Sequence, residues 1–150
     1  MWSAEFFTLE EMTRSDTARA RGIDNVPKGQ LLTRLNATAK RMDSVRLYLG
    51  HPVIVTSGYR SAALNHAVGG ASSSHHVQAY AVDFRCPAFG DPVRICSALR
   101  DSGIRYDQLI QEFNQWVHIS FAPTLRQQTL TAFKQDGKHG GRTVYRAGLG

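Results

Sequence analysis

Two short segments, AYAVDF (79–84) and WVHISF (116–121), constrain this chain more than any other feature. Each alternates with a period of two, the mark of a strand with one buried face. In the first, Tyr80, Val82 and Phe84 point one way, and Ala79, Ala81 and Asp83 the other. In the second, Val117, Ile119 and Phe121 suit a core, while Trp116, His118 and Ser120 share the opposite face. Asp83 and His118 therefore lie on the non-core sides of their strands. They converge if the strands are neighbours. A carboxylate on a half-buried face needs a partner, because an uncompensated charge away from water is costly.

His76 stands at the loop-to-strand entrance, seven residues before Asp83. Two imidazoles and a carboxylate suit a divalent zinc ion, and three protein ligands leave one position for water. Zn2+ is thus the expected cofactor, with His76, Asp83 and His118 as its ligands. The competing reading is a capping or surface histidine and an ion-paired aspartate.

Glu112, six residues before His118, is the expected general base. QLIQEF (108–113) and WVHISF read as a hairpin, and the loop length decides where Glu112 points. A two-residue turn at 114–115 pairs Glu112 with Val117 and faces it to the core. A three-residue loop over 114–116 places it opposite His118, so an odd loop or a bulge is expected. Arg60, in TSGYRS after an apolar strand, can hold a carboxylate or polarise a carbonyl oxygen. Its competing reading is a surface ion pair.

The remaining segments build a frame for these residues. A short helix over 8–20 has a Thr cap and early glutamates, and 27–49 is the clearest helix, stopped by Gly50. A strand over 52–58, a short helix over 61–68 and a helix over 91–103 follow, the last capped by Asp91 with Pro92 in its first turn. QTLTAF and RTVYRA, joined by DGKHGG, form a second hairpin. Helices first and strands around one helix imply one α+β domain over 1–150, with a largely antiparallel sheet flanked by helices. Within it, 1–50 is a helical part, 51–124 the metal-site core and 125–150 a C-terminal hairpin or extension.

With 150 residues, the chain can bury a real core. No apolar run spans a bilayer, and the N-terminus lacks the basic and apolar regions of a secretory signal. The expectation is a protein made in the cytoplasm, not integrated into membranes. Net charge is +6, with a pI near 9.7, but the basic residues are scattered. That gives a mild bias toward polyanions without a nucleic-acid site. Cys86 and Cys96 match no zinc motif and read as reduced, buried thiols.

Taken together, these residues resemble the zinc D-Ala-D-Ala carboxypeptidase family, peptidoglycan peptidases that share a fold with the hedgehog signalling domain. The family pattern S-x-H, two residues, G-x-A-x-D reads here as Ser74-His75-His76, Val77-Gln78, Ala79-Tyr80-Ala81-Val82-Asp83, followed by Glu112 and His118. SGYRS, VGG (68–70), DQLIQEF, WVHISF, FTLEEMTRSDTA and TVYRAG resemble the short phage and bacterial branch. The resemblance implies zinc on His76, Asp83 and His118, Glu112 as base and Arg60 as an electrostatic or anchoring group. It implies Ser74 as a support, with Tyr59 and Trp116 as substrate-binding or supporting residues. The implied reaction is hydrolysis of a peptidoglycan stem-peptide bond, by a monomer acting endolysin-like on the cell wall after release. The alternative is a non-catalytic, zinc-bearing wall-binding module. Two departures stand out. Ala79 replaces the family glycine, where a methyl is expected to narrow the site. Gln115 occupies the position three residues before His118, where many relatives carry the acidic base. His75 rivals His76, although the motif count selects His76.

Overall fold

The computed structural model describes residues 1–135 and 141–149. In chain order the helices are α1 (Leu9–Thr13), α2 (Asp16–Arg21), α3 (Gln30–Leu49), α4 (Ala62–Ala67) and α5 (Pro92–Arg100). The strands are β1 (Ile54–Ser57), β2 (Ala81–Arg85), β3 (Gln108–Glu112), β4 (Trp116–Ser120), β5 (Gln128–Gln135) and β6 (Arg142–Ala147). They form one sheet in the order β1-β2-β4-β3-β5-β6. Every pairing is antiparallel except β3 with β5. The α+β, largely antiparallel expectation therefore holds. No helix among the described residues is long and apolar enough to cross a membrane.

The sheet has one apolar and one functional face. Val82 and Phe84 of β2, Leu109 of β3, and Val117 and Ile119 of β4 join Leu35, Ala39, Met42 and Val45 of α3 and Ile95, Cys96 and Leu99 of α5 in one core. Phe84, Met42, Leu35, Leu99 and Ile119 are fully buried, each contributing about 1.5–3 kcal/mol of apolar burial. The other face carries Asp83, His118, Glu112 and Trp116. Cys86 and Cys96 are free and buried, and burial pushes the Cys96 thiol up to about 12.

Local chemistry sets the boundaries. The segment read as one helix over 8–20 is two. Thr8 and Glu11 form a reciprocal capping box on α1, and Ser15 accepts from Ala18 N to start α2. Arg14 between them is extended, so the helix breaks where Ser15 can cap. The α5 helix has the expected Asp91 cap and early proline, but ends at Arg100, before Gly103. The strand read from residue 79 begins at Ala81. Ala79 lies in a turn with φ +64°, so it does not share a strand face with Ala81 and Asp83. The expected C-terminal hairpin is present, while its connection over 136–140 lies outside the described residues.

One buried carboxylate ties the C-terminal segment to the sheet. Asp107 precedes β3 and is fully buried. It accepts from Thr124 Oγ1 (2.6 Å), Arg126 N (3.0 Å), Arg126 Nε (2.9 Å) and Arg126 Nη2 (2.8 Å). Its backbone closes the same junction, donating to Ser120 O and accepting from Gln128 N. The Arg126 hydrogen bond holds the Asp107 carboxyl below the ordinary carboxylate range, against burial, which works the other way. A depressed folded-state pKa means stability that is complete above the unfolded value, about 3.9, and is lost as pH falls through the folded value. Asp107→Asn should therefore cost about 2 kcal/mol at pH 7, a modest figure because Arg126 is half exposed. The gap to the wild type should narrow at pH 3 in urea unfolding.

Candidate active site

The site is built on β2 and β4, which are hydrogen-bonded neighbours. Asp83 stands directly opposite His118. His118 Nδ1 lies 2.9 Å from Asp83 Oδ1. His76 enters from the preceding turn, with Nε2 3.3 Å from the same oxygen. One ligand-type atom from each of the three residues falls within 4.8 Å of the other two, so the group can hold a metal ion. The sequence expectation that these three residues converge is thus met in geometry.

The hydrogen bonding of His76 fixes its tautomer. Nδ1 lies 2.7 Å from Gly58 O, and a carbonyl only accepts, so Nδ1 carries the proton. In the neutral ring, Nε2 then presents its lone pair to the Asp83 carboxylate. Two lone pairs at 3.3 Å repel unless a positive centre lies between them, either a proton or a cation. A carboxylate and two imidazole nitrogens form a donor set that suits zinc. Burial works to raise the Asp83 carboxyl, but the charges and hydrogen bonds of His76 and His118 hold it below the ordinary range.

The backbone around His76 is tightly specified. Ser74 Oγ accepts from His76 N, and Arg60 N donates to His76 O. Tyr59 N donates to Met12 O, which anchors the loop to the end of α1. A Cβ on Gly58 would collide with the Met12 carbonyl. The glycine therefore lets the loop approach closely enough for Gly58 O to receive His76.

Glu112 shares the face of His118 but not its register. The β3–β4 loop has three residues, 113–115, and Glu112 pairs with Trp116 while Ile110 stands opposite His118. The expected odd loop is present, shifted by one residue, so Glu112 is diagonal to His118 rather than opposite it. Phe113 and Asn114 both take left-handed conformations (φ +56° and +52°), which lets the loop close on an odd count. Burial raises the Glu112 carboxyl, with Asp83 adding to the rise while His118, Arg60 and Lys134 oppose it.

His76, Asp83, His118, Glu112, Arg60, Ser74 and Trp116 line one cleft of about 370 Å³. Arg60 sits near the Asp83 and Glu112 charges, burial lowers its pKa, and its Nε is buried without a hydrogen-bond partner. Tyr59 is not brought to this cleft. It is buried and lines a neighbouring cavity on the other side of Arg60. Ala79 is also outside the cleft lining, with its methyl packed in the core, so it does not narrow the opening. His75 lines the cleft, but its Nδ1 faces Asp107 at 4.0 Å rather than Asp83. A larger cavity of about 690 Å³ shares Trp116, but holds no histidine, and its one carboxylate, Asp91, caps α5. The chemistry therefore sits in the smaller cleft. Sequence reading missed Asp107 and Arg126, whose pairing across 19 residues leaves no local pattern.

Two imidazoles and one carboxylate surround a common point that could hold a metal ion, and a second carboxylate lies on the same sheet face. Comparison with family models matches residues 5–120 to Peptidase M15. The chain belongs to the M15 peptidases, the zinc D-Ala-D-Ala carboxypeptidase family, and is a metallopeptidase. No curated protein matches it. The matched span contains every cleft residue named above; Arg126, which also lines the cleft, lies beyond it.

Gly58→Ala should lower stability by about 1–3 kcal/mol through overpacking. It should also weaken metal uptake, because the carbonyl that orients His76 is displaced. Thermal melts and zinc titration check both effects.

Proposed function

We propose that this protein is a zinc peptidase that hydrolyses peptide bonds in the peptidoglycan stem, with an endolysin-like role in wall lysis. The observation that carries the reading is the meeting of His76, Asp83 and His118 beside Glu112 in one cleft. His76 Nε2, His118 Nδ1 and a carboxylate oxygen of Asp83 would hold the zinc. When bound, zinc supplies Lewis acidity, polarising a carbonyl and lowering the pKa of water to about 7.

The chain's own residues do the rest. Glu112 takes a proton from the attacking water at a carboxylate oxygen and returns it to the leaving amine nitrogen. Burial of this carboxylate favours its protonated form, the one that donates to the leaving amine. Arg60 faces the carbonyl oxygen as negative charge builds there, and its unpartnered Nε supports that role. Ser74 holds the His76 backbone, and Trp116 walls the cleft against water. The family implies a peptidoglycan substrate, and the basic surface, at +6, suits an anionic wall.

Chelation with EDTA should abolish release of peptides from purified peptidoglycan, and added zinc should restore it, as read by mass spectrometry of the soluble products. Glu112→Gln should lose about 10²–10⁴-fold in kcat while retaining zinc. Full activity in metal-free protein would overturn the reading. The base must be ionised to act, and burial raises its pKa. Glu112→Gln should therefore remove the acidic limb of the kcat profile.

A further inference from the structure

The functional face of the sheet continues past the cleft onto the C-terminal hairpin. Trp116, Glu112, Ala132 and Tyr145 are successive cross-strand partners on β4, β3, β5 and β6. Residues paired in this way share a face. Tyr145 therefore stands in one row with Glu112, on the side away from Trp116 and just beyond the cleft lining. Ala132 between them carries only a methyl, yet it is fully buried. Glu112 and Tyr145, directly beside it, are placed to cover it. The Tyr145 side of this row stays open to a ligand, since the residue is 54% exposed.

The phenol faces the cleft. Partial burial raises its pKa, and the charges of Glu112 and Asp83 raise it further, so the hydroxyl lies in the field of both carboxylates. It stays protonated at working pH and is a donor. Among the described residues it has no hydrogen-bond partner. Lys134, on the same face of β5, is already engaged. Its Nζ donates to Thr143 Oγ1 at 3.0 Å and lies 5.3 Å over the Phe113 ring. The hairpin thus presents a free, neutral donor beside Glu112.

The surroundings select the acceptor. An anionic group at Tyr145 would meet the charges of Glu112 and Asp83, whereas a neutral amide carbonyl would not. Two strand spacings, about 9.6 Å, separate the Glu112 and Tyr145 backbones. The hydroxyl therefore serves a peptide unit flanking the scissile bond and not the scissile carbonyl itself.

We infer that Tyr145 is a substrate-binding residue whose phenolic hydroxyl donates to a backbone carbonyl of the bound peptide, beside the scissile bond. The inference rests on the peptidase reading of the cleft and adds to it a contact supplied by the C-terminal hairpin. The bound peptide lies across the strands, from His118 past Glu112 toward β6. Tyr145 lies outside the span matched to Peptidase M15, so the family match assigns it no role.

The test compares zinc-loaded wild type, Tyr145→Phe and Tyr145→Ala on a soluble stem pentapeptide, with a thermal melt and zinc content for each. Tyr145→Phe removes one oxygen and keeps the ring. It should raise KM about three- to tenfold, the worth of one hydrogen bond, while kcat falls little. Tyr145→Ala should raise KM at least as far. Melting temperature and zinc content should match the wild type in Tyr145→Phe, which separates a lost contact from a structural defect. Calorimetric binding of the same peptide to Glu112→Gln and to the double variant Glu112→Gln, Tyr145→Phe gives a readout without turnover. The double variant should bind about three- to tenfold more weakly. An unchanged KM in Tyr145→Phe would overturn the inference and leave the peptidase reading standing. So would a fall in kcat at constant KM, which would mean that the hydroxyl acts on Glu112 instead of on substrate. Equal or undetectable peptide binding in the two calorimetric proteins would overturn it as well. No cleavage by the zinc-loaded wild type would instead overturn the peptidase reading, and the calorimetry would still decide the role of Tyr145.

Discussion

The cleft depends on one carboxylate held between two imidazoles in the middle of a sheet. Asp83 sits on β2, with β1 on one side and β4 on the other, so the polar neighbours it can have are set by pairing. His118 is supplied by direct register across β4. His76 is supplied by a turn whose geometry is fixed elsewhere. Met12 holds the 58–59 loop, Gly58 O receives His76 Nδ1, and Nε2 is thereby aimed at Asp83. The end of a short N-terminal helix thus determines the direction of a lone pair more than sixty residues later.

Parity governs the second carboxylate. Side chains alternate along a strand, so adding or removing one loop residue moves Glu112 to the opposite face. Three loop residues put it with Trp116 and His118, and two would put it among Val117 and Ile119 in the core. A buried carboxylate among aliphatic side chains has no compensating partner, so the core position is excluded on energetic grounds. The odd loop requires Phe113 and Asn114 to adopt left-handed backbone, which is uncomfortable for a bulky aromatic. The Phe113 ring meets Trp116 at 5.5 Å and lies under Lys134 at 5.3 Å, contacts that offset part of the strain. Strain next to the cleft is thus part of what aims Glu112.

Much of this was legible in the sequence because strands advertise their faces. Period-two alternation located β2 and β4 and put Asp83 and His118 on the non-core side, where the structure has them. The helices α3 and α5 followed from apolar spacing and caps. Three features were not legible, each for a physical reason. The helix break at Arg14 comes from Ser15 capping a new turn, and one serine inside an otherwise helical pattern does not by itself mark a break. The exact register of Glu112 depends on which residues leave the ladder, and parity is readable where register is not. The Asp107–Arg126 pair joins the entrance of β3 to the entrance of β5, strands that run parallel and are separated by β4 in the chain. Pairing at that separation has no local periodicity to announce it.

Ala79 shows how the spacing between His76 and Asp83 is produced. Alternation made it a strand residue, but its φ of +64° places it in a left-handed turn that redirects the chain before β2. That conformation costs a non-glycine residue about 1–2 kcal/mol, which explains the glycine in the family pattern. Alanine survives here because two terms work against the cost. The fully buried methyl packs in the core, and alanine leaves the unfolded chain less freedom than glycine, a gain of about 0.4–1 kcal/mol. The turn is also held from outside. Thr38 Oγ1 on α3 donates to Ala79 O at 2.7 Å, Ala79 N donates to His76 O, and Tyr80 N donates to His75 O. These bonds close the 75–80 segment into a compact turn, so His76 points back toward the sheet that Asp83 is about to join. A β-branched residue at this position would gain the same packing but not the conformation. The seven-residue interval of the motif is therefore a turn followed by a strand, and the long helix α3 sets it by holding one carbonyl.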